Sequence, residues 1–520
     1  MSLFVFALLS VPQSAAAQVT AFRQAVAEAA ARDDDLAAFY RARSFEGIWS
    51  HAEDADRRNA LLGAFAGASD HGLPSDRYDT NALIARIQAA RTPAEQGAME
   101  VELSRLFLQY ARDVQTGVLR PKSVVPLIVR EVPLRDRLDL LNGLLNTNAA
   151  TFLRALPPSS PEYTRLMRQK LEMEQQLTEG GWGQSVPAGR LEVGASGAAV
   201  VALRNRLIAM GYLERTATQT FDATMKAAVE EFQRNHGLDV DGTVGEGTLA
   251  QINIPMEKRL QSVIVAMERE RWTNMERGDR HVWVNLTDFT ANVVDFDRTT
   301  FSTRSVIGAR DADRQSPEFS DIMEHMVINP SWYVPRSITT REYLPQMQRN
   351  RGAAGHLQII NSRGQVVSRN SINFNRYNAS NFPFSMRQPP SSRNALGLVK
   401  FMFPNRYNIY LHDTPAKSLF GREVRAYSHG CIRLNDPFDF AYHLLAAQTA
   451  DPVGFFQSRL RTGAESRVNL EVQVPVHIVY RTAFTDVDGQ IQFRRDIYDR
   501  DRRIWNALSS EGVALRAFQG

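Results

Sequence analysis

The apolar positions of this 520-residue chain keep a helical period through two successive segments and then change to period two. From Gln18 to about Gln184 they recur at helical spacing. Leu103, Leu106, Phe107 and Tyr110, for example, fall on one stripe. Glycine is sparse there and no chemically active residue types cluster, which predicts a helical scaffold over residues 18–187. Its end is marked by Gly180-Gly181-Trp182-Gly183 and Pro187. Residues 188–256 form a compact unit with two strong helical faces, Val200/Leu203/Leu207 and Met225/Val229/Phe232. Asp222 is placed to cap the second helix, and Gly211 and Gly237 to close the two. The turn Asp241-Gly242-Thr243-Val244-Gly245 leads into a third short helix at Thr248.

After Glu257 one more helix, Leu260 to Trp272, gives way to period two. His281–Leu286 and Asn292–Phe296 read as a hairpin, and Met326–Ile328 as a strand stopped by Asn329-Pro330. Strands resume at Leu398–Phe403 and Tyr407–His412. The run Val474–Tyr480, with the Asp488-Gly489 turn after it, is expected to return to the same sheet. Between about 340 and 390 the chain is rich in Asn, Arg, Ser, Gly and aromatic residues, the texture of an insertion that covers a site. The fold class expected is therefore multidomain, α and α+β. It comprises a helical scaffold, a three-helix unit, and a mainly-β domain over 257–520 with a capping insertion at 340–390.

Composition adds bounds. A formal net charge of +4, from 61 Lys and Arg against 57 Asp and Glu, lacks the concentrated basic block that nucleic acid would demand. At the N-terminus the apolar run Leu3 to Leu9 precedes Ala15-Ala16-Ala17. This predicts a signal peptide at residues 1–17 and export. No other stretch approaches ~18 uninterrupted apolar residues. The chain has a single cysteine, Cys431, so it can form no internal disulfide, and the thiol is a candidate for reactivity.

The residues around Cys431 carry the chemistry. Ile409-Tyr410-Leu411-His412-Asp413-Thr414 places Tyr410 and His412 on one face of a strand. A loop then brings the chain back through Tyr427-Ser428-His429-Gly430-Cys431-Ile432-Arg433-Leu434. With Asn435 or Asp436 as N-cap and Pro437 in the first turn, Cys431 is expected on a tight turn just ahead of a helix. A nearby imidazolium and backbone N–H groups would favour its thiolate there. A thiol attacking an amide needs a base, an orienting partner for that base, and oxyanion donors. His412 or His429 can be the base, and a backbone carbonyl near Asp413 or Thr414 its orienting acceptor. The N–H groups of Gly430 and Cys431 can be the donors. Arg433 suits a substrate carboxylate or a structural ion pair. Trp332 and Tyr333 can line a donor groove or fill a core. His325, His356 and His443 have no partner in sequence.

Ser428-His429-Gly430-Cys431-Ile432-Arg433, with the His412 strand upstream, resembles the signature of the L,D-transpeptidases with a YkuD-type catalytic domain. Val327-Ile328-Asn329-Pro330-x-Trp332-x-Val334-Pro335-Arg336-Ser337, Gln388-Pro389-Pro390 and Tyr410–Pro415 look like the large Gram-negative periplasmic members. Residues Leu191–Pro255 resemble the three-helix peptidoglycan-binding domain, in Met210-Gly211-Tyr212-Leu213, Phe232-Gln233-Arg234 and the Asp241–Thr248 turn.

The resemblance implies Cys431 as nucleophile and His412 as general base, with Ser428, His429, Gly430 and Tyr410 in support. It implies acyl transfer from a tetrapeptide donor stem to the diaminopimelate amine of a second stem, giving a 3→3 cross-link. No cofactor or metal is implied. Glycan strands would bind through residues 188–256, with wall-synthesis proteins as further partners, in the periplasm. Carbapenems would acylate the same thiol. Four alternatives stay open from sequence: hydrolysis by the same thiol as a carboxypeptidase or endopeptidase, transfer to an amine of an outer-membrane protein, a zinc site of His412, His429 and Cys431, and a wall-binding protein with an inactive site.

Overall fold

The computed structural model describes residues 13–516, with side chains from Thr20 onward. The apolar run Leu3 to Leu9 lies outside the described residues, whereas Ala15 to Ala17 fall within a helix, Gln13–Ala30. Among the described residues no helix is long and apolar enough to cross a membrane. The chain divides into two compact units. Residues up to 126, 130–275 and from 482 onward make the first; residues 127–129 and 276–481 make the second.

The first unit is helical because its apolar stripes are long and its caps are local. Helix Pro93–Thr116 starts with a capping box between Thr92 and Glu95 and buries Leu103, Phe107 and Tyr110. A carboxylate also lies in that core. Glu100, fully buried, accepts from the N–H groups of Ile48 at 2.6 Å and Trp49 at 3.0 Å and from Ser50 Oγ at 2.6 Å, so its lone pairs are met. Helices Ala198–Ala209, Ala223–Asn235 and Glu246–Ile252 enclose their own core of Val200, Leu203, Leu207, Met225, Val229 and Phe232. Asp222 accepts from Met225 N–H as the N-cap, and Gly211 and Gly237 take positive φ just past the helix ends. The buried Gln233 amide holds the Asp241–Thr243 turn by accepting from the N–H groups of Asp241 and Gly242.

The Asp488-Gly489 turn departs from expectation. It joins a hairpin of Ala483–Thr485 and Ile491–Phe493 that pairs only with itself and lies in the first unit. Glu162 accepts from Thr485 N–H there at 2.8 Å, and Gln492 donates to Asn235 at 3.0 Å. Short polar strands carry no pattern that names their partner, so sequence could not place this hairpin.

The second unit is built on nine strands: β1 (Arg280–Asn285), β2 (Thr290–Asp295), β3 (Arg298–Gly308), β4 (Phe319–Ile328), β9 (Val399–Met402), β10 (Leu411–His412), β11 (Ala426–Ser428), β12 (Ile432–Leu434) and β13 (Ser466–Val479). Their order is β11-β3-β12-β10-β9-β4-β13-β1-β2, with β2 also pairing β3. Four short strands, β5 (Trp332–Tyr333), β6 (Gln358–Ile360), β7 (Val366–Val367) and β8 (Ser385–Gln388), form a separate sheet in the order β5-β8-β6-β7. β6, β7 and β8 lie within residues 340–390 and β5 just ahead of them, over a core that includes Ile338, Leu344, Met347, Ile359, Phe374 and Phe382. Strand β10 is shorter than the pattern suggested. Asn408 has φ of +53° and Asn405 bonds locally to Ile409, so the chain is bent until Leu411.

The centre of the sheet sets the site. Leu411 pairs Phe401 on one side and Ile432 on the other. His412 pairs Lys400 and Arg433. Leu411, Phe401 and Ile432 point into the core, where Phe401 meets Phe440 edge-on at 4.7 Å, so His412, Lys400 and Arg433 share the opposite face. Asp413 locks this register: its carboxylate accepts from Leu398 N–H at 2.9 Å and pairs with Lys417 at 2.9 Å. Gly397, at φ of +60°, leaves it the space, because a methyl there would collide with that carboxylate. Gly397→Ala is therefore expected to destabilise the β9–β10 pair by about 1–3 kcal/mol. Hydrogen exchange at the strand amides of Lys400 to Met402 and Leu411 to Asp413 should quicken by roughly 10- to 100-fold. Unchanged exchange there would contradict the role given to Asp413.

Candidate active site

A groove of about 1320 Å³ runs over this face of the sheet within the second unit. Cys431, His412, Tyr410, Arg433, His429, Ser428, Trp332 and Tyr333 all line it, so the residues singled out in sequence come together in one place. Gly430 lies buried in the turn beneath it. Residues Arg336, Arg341, Glu342 and Tyr343, from the start of the insertion, form another part of the wall. His356, which had no partner in sequence, lines it too and meets Tyr343 edge-on. Trp332 lines the groove and also packs against the core around Ile338 and Phe382, edge-on to Tyr343, whereas Tyr333 is 61% exposed and belongs to no core.

His412 is buried. Its Nδ1 lies 2.5 Å from the Asp413 carbonyl oxygen, which can only accept, so Nδ1 carries the proton and Nε2 keeps its lone pair. Burial, with the positive charges of Arg433 and Lys400 beside it, pushes the imidazolium down to about 3. The ring is a neutral base of fixed tautomer.

Cys431 differs from expectation in two ways. It stands at the head of β12, and the following helix, Pro437–Leu445 with Asp436 as N-cap, begins six residues later, too far for its N-terminus to act on the thiol. Burial raises the thiol to about 11, opposed only in part by Tyr410, Arg433 and Lys400. The half-buried Sγ donates to the Asn408 carbonyl at 3.4 Å. Among the described residues no hydrogen bond joins it to His412. Thiol and imidazole are thus both neutral at rest, in place of the preformed thiolate that the sequence suggested.

The turn holding Cys431 is tied from within. Gly430 takes φ of +112°, and a Cβ there would press on Ile409 at 3.2 Å. Its N–H donates to Ser428 Oγ at 3.1 Å, and Ser428 Oγ donates to the Cys431 carbonyl at 2.5 Å. Ser316 Oγ donates to the Gly430 carbonyl at 2.6 Å. The Gly430 N–H is therefore spent on the turn. The Cys431 N–H has no protein partner among the described residues.

His429 is exposed, lines the groove and is bonded across to another segment. Its Nε2 lies 2.7 Å from Glu342, which also pairs with Arg314 at 3.2 Å. Glu342 sits in a wide helical turn, Thr339–Tyr343, at the start of the insertion. The histidine two residues before Cys431 thus ties the turn to the segment that starts the insertion. Sequence held no sign of this contact, which spans 87 residues.

Tyr410 is a buried phenol whose hydroxyl interacts with both the Cys431 thiol and Trp332, and burial keeps it protonated. The Arg433 guanidinium is partly buried, with Nε shielded from solvent and without a hydrogen-bond partner. It lies beside the thiol with no ion-pair partner among the described residues, so it is not the structural pair weighed from sequence.

Comparison with known proteins agrees with the geometry. Residues 279–464 match the L,D-transpeptidase catalytic domain, residues 34–169 a family described as "Scaffold domain", and residues 196–252 one described as "Putative peptidoglycan binding domain". A Haemophilus influenzae protein named "Putative L,D-transpeptidase" is 28% identical over 246 residues, 46% of this chain. That match spans about half of the relative, 48% of its length. A solved L,D-transpeptidase from Xylanimonas cellulosilytica shares 15% identity at a TM-score of 0.18, covering 56% of this chain and 99% of its own. One from Stackebrandtia nassauensis shares 14% at a TM-score of 0.22, covering 57% and 97%. The chain thus carries an L,D-transpeptidase catalytic domain at residues 279–464, with a scaffold-type helical region and a peptidoglycan-binding domain ahead of it.

Proposed function

We propose that this protein is an exported peptidoglycan L,D-transpeptidase that forms 3→3 cross-links through an acyl-enzyme on Cys431. The observation that carries this reading is the pairing, on one wall of one groove, of the chain's single thiol with a neutral imidazole whose Nε2 is free. Sγ attacks the carbonyl at the L-centre of diaminopimelate in a tetrapeptide stem, and its proton passes to His412 Nε2. The Cys431 N–H meets the oxyanion. As the C–N bond breaks, His412 returns the proton to the departing D-alanine amine, leaving a thioester. The diaminopimelate amine of a second stem then attacks the thioester and gives a proton to His412. Sγ leaves and is reprotonated. Residues 188–256 would hold glycan strands, and the insertion over 340–390 would cap the groove. The wall in the periplasm is the place of action this chemistry requires.

With disaccharide-tetrapeptide as sole substrate, the full chain should release D-alanine and yield 3→3 dimers. Accumulation of trimmed tripeptide without dimers would replace transfer by hydrolysis. Cys431→Ala should end both release and carbapenem adduct formation, read by intact mass. His412→Ala should slow carbapenem acylation by at least ~10²-fold, the ordinary size of a general acid–base contribution. His429→Ser should cost much less, because the His429 ring nitrogen Nε2 is engaged by Glu342. An equal or larger loss in His429→Ser would move the base onto the turn.

The resting protonation state has its own signature. With the thiol raised to about 11, its reactive thiolate is scarce at neutral pH and grows only as pH climbs toward that value. Alkylation of substrate-free protein by iodoacetamide, followed from pH 6 to 11, should keep rising, with its midpoint above the ~8.5 of a free cysteine. A plateau reached below pH 8 would show a preformed thiolate–imidazolium pair and contradict the neutral resting site.

A further inference from the structure

Lys400 takes no part in the reaction as derived so far, yet it stands in its midst. It is the β9 partner of His412, as Arg433 is the β12 partner, so three residues form one row across the sheet: Arg433, His412, Lys400. Neighbouring strands lie about 4.8 Å apart, so the Lys400 backbone is one strand beyond His412, while its ammonium also bears electrostatically on Cys431. Its side chain is largely covered, lines the groove and passes 5.9 Å from the Tyr410 ring centroid. Among the described residues it has no ion-pair partner. The acid that bears on it electrostatically, Glu465, accepts from Ser331 N–H at 2.6 Å. A covered ammonium without a counterion is costly, and such a group in a binding groove is explained by a charge that arrives with the ligand.

The direction of the reaction says which charge. The departing amine must sit at His412 Nε2 to receive its proton, with the thiol on the other side of the scissile carbon. Whatever the departing residue carries on its α-carbon then lies next to His412, the residue that Lys400 pairs across the sheet. If a single D-amino acid leaves, that group is its carboxylate.

We propose that Lys400 is a specificity residue that binds the terminal carboxylate of the departing D-amino acid, so that the site selects donors which lose exactly one residue. This rests on the acyl-transfer reading above and adds its leaving-group selectivity. A stem with one further residue would present an uncharged amide at Lys400 and leave the ammonium unanswered. The arriving carboxylate would also offset the positive field of Lys400 and Arg433 that holds His412 down, making the ring a better base when the correct donor is seated.

The test compares L-Ala-γ-D-Glu-meso-diaminopimelyl-D-Ala with the same stem ending in D-alaninamide. Binding is read by calorimetry on full-length Cys431→Ala protein, where no turnover occurs. The acid should bind about 10- to 100-fold tighter than the amide, the range of a charge-assisted hydrogen bond. Lys400→Met should bring the two dissociation constants together by weakening the acid alone, and Lys400→Arg should restore most of the difference. In the active protein the same preference should appear mainly in KM. Equal binding of acid and amide by the Lys400 protein overturns the proposal without need of any variant. So does a Lys400→Met protein that keeps the preference. Failure of the active protein to release D-alanine while the binding preference holds would count against the reaction and leave the carboxylate site standing.

Discussion

The site depends on a register. Strand β10 is only two residues long, and its two neighbours fix both of them: Leu411 between Phe401 and Ile432 facing the core, His412 between Lys400 and Arg433 facing the groove. A slip of one residue would send His412 into the core and Leu411 to the thiol. Asp413, held by Leu398 N–H, fixes that register with its carboxylate and orients the imidazole with its carbonyl. One residue thus positions the strand by its side chain and sets the base's tautomer by its backbone.

Burial of the row has an electrostatic consequence. Two partly covered cations flank a covered imidazole, and the thiol beside them lacks the helix terminus that activates many cysteine nucleophiles. The substrate-free site is therefore quiet. In the reading advanced here, a donor that carries negative charge changes the field at His412 as it binds, so that activation and recognition share the same groups. The contact of His429 with Glu342, and of Glu342 with Arg314, adds a mechanical link between the Cys431 turn and the insertion that walls the groove.

What was legible in the sequence was what is local. The helices of residues 188–256 follow from apolar spacing and from caps within a few residues, and Asp222, Gly211 and Gly237 stand where the spacing put them. The residues at the thiol were legible because six of them are contiguous and His412 lies on a nearby strand. Lys400 was not, because Val399-Lys400-Phe401-Met402 reads as an ordinary alternating strand until its pairing with His412 is known. Nor was the fate of the Gly430 N–H, which turns on a hydrogen bond to Ser428. The separation of Cys431 from its helix was hidden as well. The strand Ile432–Leu434 that intervenes is too short to carry a period.

The proposed reaction requires a covalent intermediate at one atom, Sγ of Cys431. Full-length protein mixed with the tetrapeptide stem, quenched in acid within the first turnover and digested, should show the peptide containing Cys431 heavier by the stem's acyl group less one D-alanine. Added diaminopimelate amine should discharge that adduct into cross-linked product. Release of D-alanine with no mass added to Cys431, or with the adduct on another residue, would contradict the account.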